Sequence, residues 1–267
     1  MSLRSRPSRF ALAWLAAIAT LPAAALDLPE IVGKGTLRVL VMPDTKRPEF
    51  YSLKPGALPG FDAEVLDGFA KLHKLKVEPV VVGSWDALIP ALTEKKGDLI
   101  AGRFSATDSR KKLVDFTSEV FPTRMVSLNR KPKKPIETLE QLKSEKLGVI
   151  KGTSMAEAVA ALGVASVDDS IPAGGYGDAL KAGKITAAVW GVESAIALQR
   201  EDPEIQLGVF LGSHASLAYA VRKGDAELLK ALNDYIENLR KTQTWSRLVV
   251  KYFGVSAPEV LKKARGE

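Results

Sequence analysis

The segment from Asp98 to Phe116, DLIAGRFSATDSRKKLVDF, carries residue types that could bind an anion. It begins as a short apolar strand, passes through small hydroxyl residues and becomes basic. Ser105, Thr107 and Ser109 suit a helix start, because their hydroxyl oxygens accept hydrogen bonds from free backbone N–H groups. Arg110 follows in the first turn, where a helix favours anions and a guanidinium can donate two bonds to one carboxylate.

These features predict a small-molecule site that holds a carboxylate at a strand-to-helix turn. The alternative is that Arg110 only joins Lys111 and Lys112 in a solvated basic cluster, as most charge runs do. The elements that position this turn can be predicted from the sequence on either side of it.

Apolar segments before the turn alternate between strand and helix patterns. A helix is predicted after Gly60, and another from Ser84, which would place Trp85 in its first turn on an apolar face. This order predicts an α/β fold with a mainly parallel sheet, in which ligands bind beyond the carboxyl ends of the strands. The predicted strands here are Thr36–Val41, Val77–Val82 and Asp98–Phe104.

A second α/β pattern begins after the basic segment Lys131–Pro135. Trp190 ends one of its strands, where it either faces a cleft or is buried. Tyr176 lies between glycines and is predicted to be on a surface loop. The strands predicted in this half are Leu147–Ile150, Ile185–Trp190, Ile205–Phe210 and a return strand at Ser216–Val221, followed by closing helices at Asp225–Arg240 and Thr242–Phe253.

The first 25 residues have the pattern of a signal peptide. Three arginines precede the apolar run Phe10–Ala19, which is too short to span a bilayer, and small residues ending at Ala25 form a cleavage site. The alternative is an uncleaved membrane anchor. The pattern predicts export, with residues 26–267 as the mature chain.

Composition excludes several classes of function. The chain has no cysteine, which excludes disulfides, a thiol nucleophile and lipid attachment, so the predicted location is the periplasm. Two histidines make an ordinary zinc site unfavourable, and we predict no metal and no cofactor. The net charge of +7 is scattered rather than gathered in a stripe with aromatics, so nucleic-acid binding is not expected.

Six segments together resemble the periplasmic solute-binding proteins of polar-amino-acid ABC importers. In order they are GTLRVLV, LPGFDAEVLDGFAK, SWDALIPALTEKKGDLIAG, TDSRKKLVDFT, LKSEKLGVIKGTS and LAYAVRKGDAELLKALNDYIENLRKTQTWSRLVVKYFG. The resemblance implies a type II periplasmic binding fold, with lobe 1 at 26–122 and 215–267 and lobe 2 at 123–214. It also implies two hinge strands, cleft closure around a solute, a membrane permease as partner and a monomeric protein.

The resemblance also implies roles for particular residues. Arg110, in the T-x-x-R turn that starts at Thr107, would hold the ligand's α-carboxylate, and Ser105 would be another contact. Trp85 would stack on the ligand. In the second lobe, the Gly152-Thr153-Ser154 turn would supply hydroxyl and N–H donors to the same carboxylate.

Two departures from the family pattern put an ordinary α-amino acid in question. Gly191 stands where an acid normally pairs with the ligand's ammonium; Glu193, two residues later, could substitute through a different loop path. The aromatic pattern after the first strand is replaced by Thr45–Phe50. Arg103 adds a second guanidinium, unless it points away or pairs with Asp108 or Glu49. The ligand could therefore be more acidic, or lack an ammonium.

Three functions follow as hypotheses. The leading one is a non-enzymatic receptor that delivers a carboxylate-bearing solute to an ABC importer. The second is an enzyme on the same scaffold, similar to cyclohexadienyl dehydratases, with Glu193 as the general acid. The third is a sensory or partner subunit without transport.

Overall fold

The computed structural model describes residues 27–42, 48–255 and 257–265. The predicted signal peptide and the Thr45–Arg47 part of the loop after the first strand lie outside the described residues. The strands are β1 (Thr36–Val41), β2 (Lys76–Val81), β3 (Leu99–Ile100), β4 (Asp115–Phe116), β5 (Phe121–Arg130), β6 (Leu147–Gly148), β7 (Val167–Asp168), β8 (Ala187–Gly191), β9 (Ile205–Leu217) and β10 (Ala220–Val221).

The helices alternate with these strands. They are α1 (Leu28–Lys34), α2 (Phe61–Leu72), α3 (Leu88–Thr93), α4 (Asp108–Lys111), α5 (Leu139–Lys143), α6 (Ser154–Ala161), α7 (Tyr176–Lys181), α8 (Val192–Glu201), α9 (Ala226–Arg240), α10 (Gln243–Phe253) and α11 (Ala257–Arg265). Within the described ranges, every helix is too short or too polar to cross a membrane.

The strands form two five-stranded sheets. In the first, the order is β2-β1-β3-β10-β4. Its β1 is parallel to both β2 and β3, while β10, from much later in the chain, lies antiparallel between β3 and β4. The mainly parallel sheet predicted for this half is therefore confirmed.

The second sheet has the order β7-β6-β8-β5-β9. Its β6 is parallel to β7 and β8, whereas β5 is antiparallel to both β8 and β9. The whole sheet is built from chain that lies between Phe121 and Leu217, so the second half is one insertion into the first.

The strands β5 and β9 connect the two sheets. They pair antiparallel from Phe121 opposite Leu217, beside the first sheet, to Arg130 opposite Ile205 in the second. The backbone N–H of Val120 donates to the carbonyl of Leu217 at 2.9 Å and extends this pairing toward the first sheet. Two adjacent strands therefore carry the chain out and back.

The closing helices pack on the core of the first sheet. Phe253 of α10 meets Phe121 at 4.7 Å and Phe50 at 4.9 Å between ring centroids. The indole N–H of Trp245 donates to the carbonyl of Val120 at 3.1 Å. This aromatic cluster holds the root of the connecting strands, meaning the ends of β5 and β9 that lie beside the first sheet.

Several predicted strands differ in extent from those in the structure, and one of them, Leu147–Ile150, ends at Gly148. The prediction of Asp98–Phe104 is wrong beyond Ile100, because Gly102 and Arg103 have φ angles of 85° and 67°, which are not extended backbone. The predicted Ser216–Val221 strand is divided: β9 ends at Leu217 and β10 begins at Ala220.

The predicted helix from Ser84 begins later. Residues 84–87 form a turn, with the N–H of Ala87 donating to the carbonyl of Ser84 at 3.2 Å, and α3 starts at Leu88. Proline lacks an N–H and is accommodated in a first turn, so Pro90 requires a helix that starts close before it. Trp85 therefore lies in the turn and not on a helix face.

The chain also continues into α11 after α10, beyond the last helix predicted from the sequence. Ala257 and Leu261 of this helix are buried, on one face at a spacing of four residues. The helix contacts β5, β9 and α8, so it lies across the connecting strands.

Candidate functional site

Arg110 is buried in the turn between the two sheets. Thr107 caps α4, its hydroxyl oxygen accepting from the N–H of Arg110 at 3.4 Å, so the predicted helix start is confirmed. Only 7% of Arg110 is exposed, whereas Lys111 and Lys112 are exposed. Arg110 therefore does not belong to a solvated basic cluster.

The Arg110 guanidinium is fixed by main-chain oxygens from both halves of the protein. It donates to the carbonyl of Ser105 at 3.0 Å and to the carbonyl of Gly152 at 2.8 Å. Its central carbon lies 4.0 Å from the ring centroid of Phe104. Burial lowers the pKa of Arg110 to about 10, so the group stays protonated at neutral pH.

The turn before α6 faces Arg110 from the second sheet. Thr153 caps this helix, accepting from the N–H of Ala156 at 3.2 Å. Gly152 has a φ of 72°, and a Cβ there would approach the backbone nitrogen of Asp86 to 2.8 Å. Glycine therefore allows the two halves to meet closely. Ser154 completes the contact by donating to the hydroxyl of Ser105 at 3.1 Å.

Arg103 reaches the second half from a left-handed backbone. Its φ is 67°, and its Nη1 donates to the hydroxyl of Ser194 at 2.9 Å. The guanidinium carbon lies 5.9 Å from the ring of Trp190. Arg103 therefore lines the cleft rather than pointing away from it.

Asp62, at the start of α2, holds this backbone in place. Its carboxylate accepts from the N–H groups of Gly102 at 2.9 Å and Arg103 at 3.3 Å, and from the hydroxyl of Tyr219 at 3.1 Å. Burial raises the pKa of Asp62 to about 6, although all three donors act in the opposite direction. Sequence reasoning missed this residue, because its partners are about 40 and more than 150 residues away.

Glu193 occupies the space beside Gly191. The helix α8 starts at Val192, directly after β8, and this path turns the Glu193 carboxylate to where a side chain at Gly191 would lie. Thr123 donates to its Oε2 at 2.5 Å, and Ser194 donates to its Oε1 at 3.4 Å. Only 5% of Glu193 is exposed, and this burial raises the pKa of its carboxyl.

Two tryptophans from opposite halves line the site. Trp85 is half-buried and packs against hydrophobic residues of both halves, while Trp190 at the end of β8 is buried. The ring of Tyr176 meets Trp190 edge-on at 5.0 Å. The prediction of a surface position for Tyr176 is wrong: it is 1% exposed and supports the indole.

These side chains surround one cavity of about 120 Å³. Its wall contains every residue predicted for the site, namely Trp85, Arg103, Ser105, Thr107, Arg110, Thr153, Ser154 and Glu193. It also contains residues that the sequence did not single out, including Thr123, Met125, Met155, Ser194 and Leu217. Thr123 and Leu217 sit on the connecting strands, whose inward positions cannot be assigned without the sheet register.

The described residues contain no group of three or more histidine, cysteine or acidic side chains that could hold a metal ion. The site instead offers two guanidiniums, several hydroxyls and the start of α6 as donors. Chemically, this arrangement can hold an anionic group between the two halves.

Comparison with known proteins agrees with this geometry. The family model of the bacterial extracellular solute-binding proteins, family 3, matches residues 37–255. The lysine/arginine/ornithine-binding periplasmic protein of Escherichia coli (strain K12) is 30% identical, over 93% of this chain and 97% of that protein. The resemblance seen in the six segments is therefore confirmed.

Two solved structures share the fold. One, an ancestral arginine-binding protein bound to arginine, has a TM-score of 0.74 at 30% identity, covering 82% of this chain and 99% of that one. The other is the ancestral amino acid-binding protein AncCDT-1, a precursor of cyclohexadienyl dehydratase. It has a TM-score of 0.76 at 29% identity and covers 84% and 98% of the two chains. The type II periplasmic binding fold is confirmed.

Proposed function

This chain belongs to the bacterial extracellular solute-binding proteins of family 3, and from that membership we propose that it captures a small carboxylate-bearing solute for an ABC importer. The observation that carries the proposal is the buried Arg110 guanidinium, held between main-chain oxygens of both halves in the wall of the cavity. The solute is an amino acid or a related organic acid, which accords with the relatives named above.

Each predicted site residue has a role in this proposal. Arg110 binds the carboxylate, and the hydroxyls of Ser105 and Thr107 and the turn of Thr153 and Ser154 add donors around it. Trp85 covers the body of the solute, and Arg103 and Glu193 also line the cavity.

Closure of two lobes would couple binding to transport. Lobe 1 is 26–122 with 215–267, lobe 2 is 123–214, and β5 and β9 are the hinge. Hydrogen bonds from Arg110 to Gly152, from Ser154 to Ser105 and from Arg103 to Ser194 cross the cleft. A solute shifts the population toward the closed form because it adds contacts to both sides.

The setting of this activity is the periplasm. The signal peptide is cleaved after Ala25, the mature protein is a monomer without a lipid anchor, and the closed form docks on a membrane permease. The lysine/arginine/ornithine-binding protein of Escherichia coli is periplasmic, as its name states.

A thermal-shift screen tests the proposal directly, because a ligand that binds only the folded state raises the melting temperature by mass action. The screen covers amino acids, dicarboxylates and other organic acids. We expect at least one carboxylate to raise the melting temperature of the wild type and none to do so for Arg110→Gln. Lys111→Gln, one residue away on the exposed side, is the matched control. Equal shifts in wild type and Arg110→Gln would refute the proposed site.

The enzyme alternative is favoured by one observation. Glu193 lines the cavity, and burial raises the pKa of its carboxyl, which is the direction that favours a general acid. We propose binding without chemistry as the main function. Incubating the protein with the ligand found in the screen, followed by mass spectrometry, distinguishes the two: unchanged ligand supports a receptor, and a product that disappears in Glu193→Gln supports an enzyme.

A further inference from the structure

A hydrogen bond joins the two halves of the protein outside the cavity. The Ser109 hydroxyl, on α4, donates to the Glu157 carboxylate, on α6, at 3.1 Å to Oε2 and 3.3 Å to Oε1. Both residues are exposed, and both lie outside the set that lines the cavity. This contact, here called the outer bond, therefore links the two halves beside the solute site without forming part of its wall.

The side-chain bonds between the halves that lie deeper in the cleft belong to the cavity wall. Ser154 donates to Ser105 at 3.1 Å and Arg103 donates to Ser194 at 2.9 Å, and all four residues line the cavity. A solute that enters can replace or rearrange these bonds, so their contribution depends on the solute. The outer bond is made whichever solute fills the cavity.

The outer bond is connected to the turn that holds Arg110. The backbone N–H of Arg110 donates to the Thr107 hydroxyl at 3.4 Å, and the hydroxyls of Thr107 and Ser109 lie 2.8 Å apart. Because Ser109 gives its proton to Glu157, Thr107 donates to Ser109. The hydroxyls thus form a chain with one direction, from α4 to Glu157, and the bonds of such a chain strengthen one another.

Glu157 also places a negative charge near Arg110. Burial lowers the pKa of Arg110, and the Glu157 carboxylate is the neighbouring charge that most opposes this effect. Glu157 belongs to the second half and Arg110 to the first, so their attraction weakens when the halves separate. The same carboxylate therefore favours the closed cleft in two ways, through the outer bond and through its charge.

We propose that Glu157 is a positioning residue that holds the cleft closed, and that it slows the release of any bound solute without touching it. This inference rests on the proposed function, because it takes the cavity as the solute site. The outer bond spans two halves that β5 and β9 connect, so it breaks when the cleft opens and forms again on closure. A contact that exists only in the closed form raises the affinity by favouring that form.

Dissociation rates of a Glu157 variant test the inference. The probes are L-glutamine, L-leucine, L-arginine and succinate, which all carry a carboxylate and differ in the rest of the molecule. We expect Glu157→Ala to raise the dissociation rate of every probe that binds by the same factor, roughly three- to tenfold, about the effect of one hydrogen bond. The association rates should stay within about twofold of the wild type, because solute enters the open form. Stopped-flow fluorescence measures both rates.

Three further variants separate the outer bond from a general effect on stability. Glu157→Gln keeps an oxygen that can accept from Ser109 and should recover part of the loss, while Ser109→Ala should reproduce much of it. In the double variant Ser109→Ala/Glu157→Ala, the loss should be smaller than the product of the two single losses.

Glu140→Ala is the matched control for Glu157→Ala. Glu140 is also an exposed acid in the first turn of a helix of the second half, and its carboxylate accepts from Lys143 of the same helix at 3.2 Å. The two variants therefore remove the same charge from equivalent places on a helix. The rates of Glu140→Ala should match those of the wild type.

The outcomes distinguish this inference from the proposed function. Probes that bind the wild type and are lost in Arg110→Gln, with dissociation rates that Glu157→Ala leaves unchanged, would overturn the inference and leave the proposed function intact. A change confined to one probe would place Glu157 in contact with that solute and would also overturn the inference. If none of the probes binds the wild type at millimolar concentration, both fail.

Discussion

Two arginines face one cavity, and the protein holds them in opposite ways. Arg110 stands on a short helix whose start is capped by a neighbouring hydroxyl, and its guanidinium is fixed by main-chain carbonyls. Arg103 stands on a left-handed backbone that is fixed by the distant carboxylate of Asp62. The backbone of Arg110 is placed by local structure and that of Arg103 by tertiary structure, while each guanidinium donates to a residue of the other half.

This difference indicates a division of labour. The backbone support of Arg110 is common to any helix start, so it suits a group that meets the constant part of a ligand. The support of Arg103 depends on Asp62 and Tyr219, and its contact is to a side chain, Ser194. Because these contacts are made by side chains, the position of Arg103 can change when those side chains change. This suits a group that meets the variable end of a ligand.

The largest expected effect is on Arg110. We expect Arg110→Lys to weaken binding of the best carboxylate from the screen by roughly 100-fold, because a single ammonium cannot replace a planar group with two separately held nitrogens. Calorimetry measures the affinity, and Arg103→Lys is the matched comparison. A loss at Arg110 no greater than that at Arg103 would contradict the division of labour.

The second effect concerns pH and Asp62. The pKa of this carboxyl is raised by burial from 3.8 to about 6, so the folded state binds the proton more tightly than the unfolded state. Unfolding then releases a proton, and the free energy of unfolding falls as the pH rises from about 4 to about 6. The change attributable to Asp62 is on the order of 2–3 kcal/mol.

Asp62→Asn is expected to remove this contribution while keeping the shape of the side chain. Urea unfolding at several pH values measures it as the difference in slope between the wild type and the variant. This difference is the relevant quantity because Asp225, whose pKa burial also raises to about 6, titrates over the same range in both proteins. Parallel curves for the two proteins would refute the prediction.

The smallest expected effect is the difference in stability between the glycine and alanine variants at each of the two arginine positions. Both substitutions remove the guanidinium, but at Arg103 only alanine retains the left-handed strain, so Arg103→Gly should be more stable than Arg103→Ala by about 1 kcal/mol. At Arg110, which is helical, the order should reverse by about 0.5–1 kcal/mol. Chemical denaturation of the four variants checks both signs. The same order at both positions would contradict the assigned backbone difference.

The cavity residues could be predicted from the sequence because the patterns that reveal them lie within a few consecutive residues. The hydroxyl residues before Arg110 and the turn before Ser154 are helix starts that can be recognised within a few residues. The residues predicted for the site come from both halves and all line one cavity, although their roles toward a ligand remain predictions.

The elements that were missed depend on contacts between distant parts of the chain. The strand β3 ends at Ile100 because Asp62 binds the next turn, and no residue near Arg103 shows this in the sequence. The Glu193 carboxylate fills the space at Gly191 only because α8 begins directly after β8. The helix α11 has a short apolar face that matters only once the connecting strands are beside it.

The positions of the tryptophans should allow intrinsic fluorescence to report on the cavity. Of the four tryptophans in the sequence, Trp85 and Trp190 line the cavity from opposite halves, and Trp245 is anchored in the aromatic cluster at the root of the connecting strands. The emission of the first two should respond to solute entry, and that of Trp245 should stay constant as an internal reference. Unlabelled protein would thus allow the kinetics of capture to be followed by stopped-flow fluorescence.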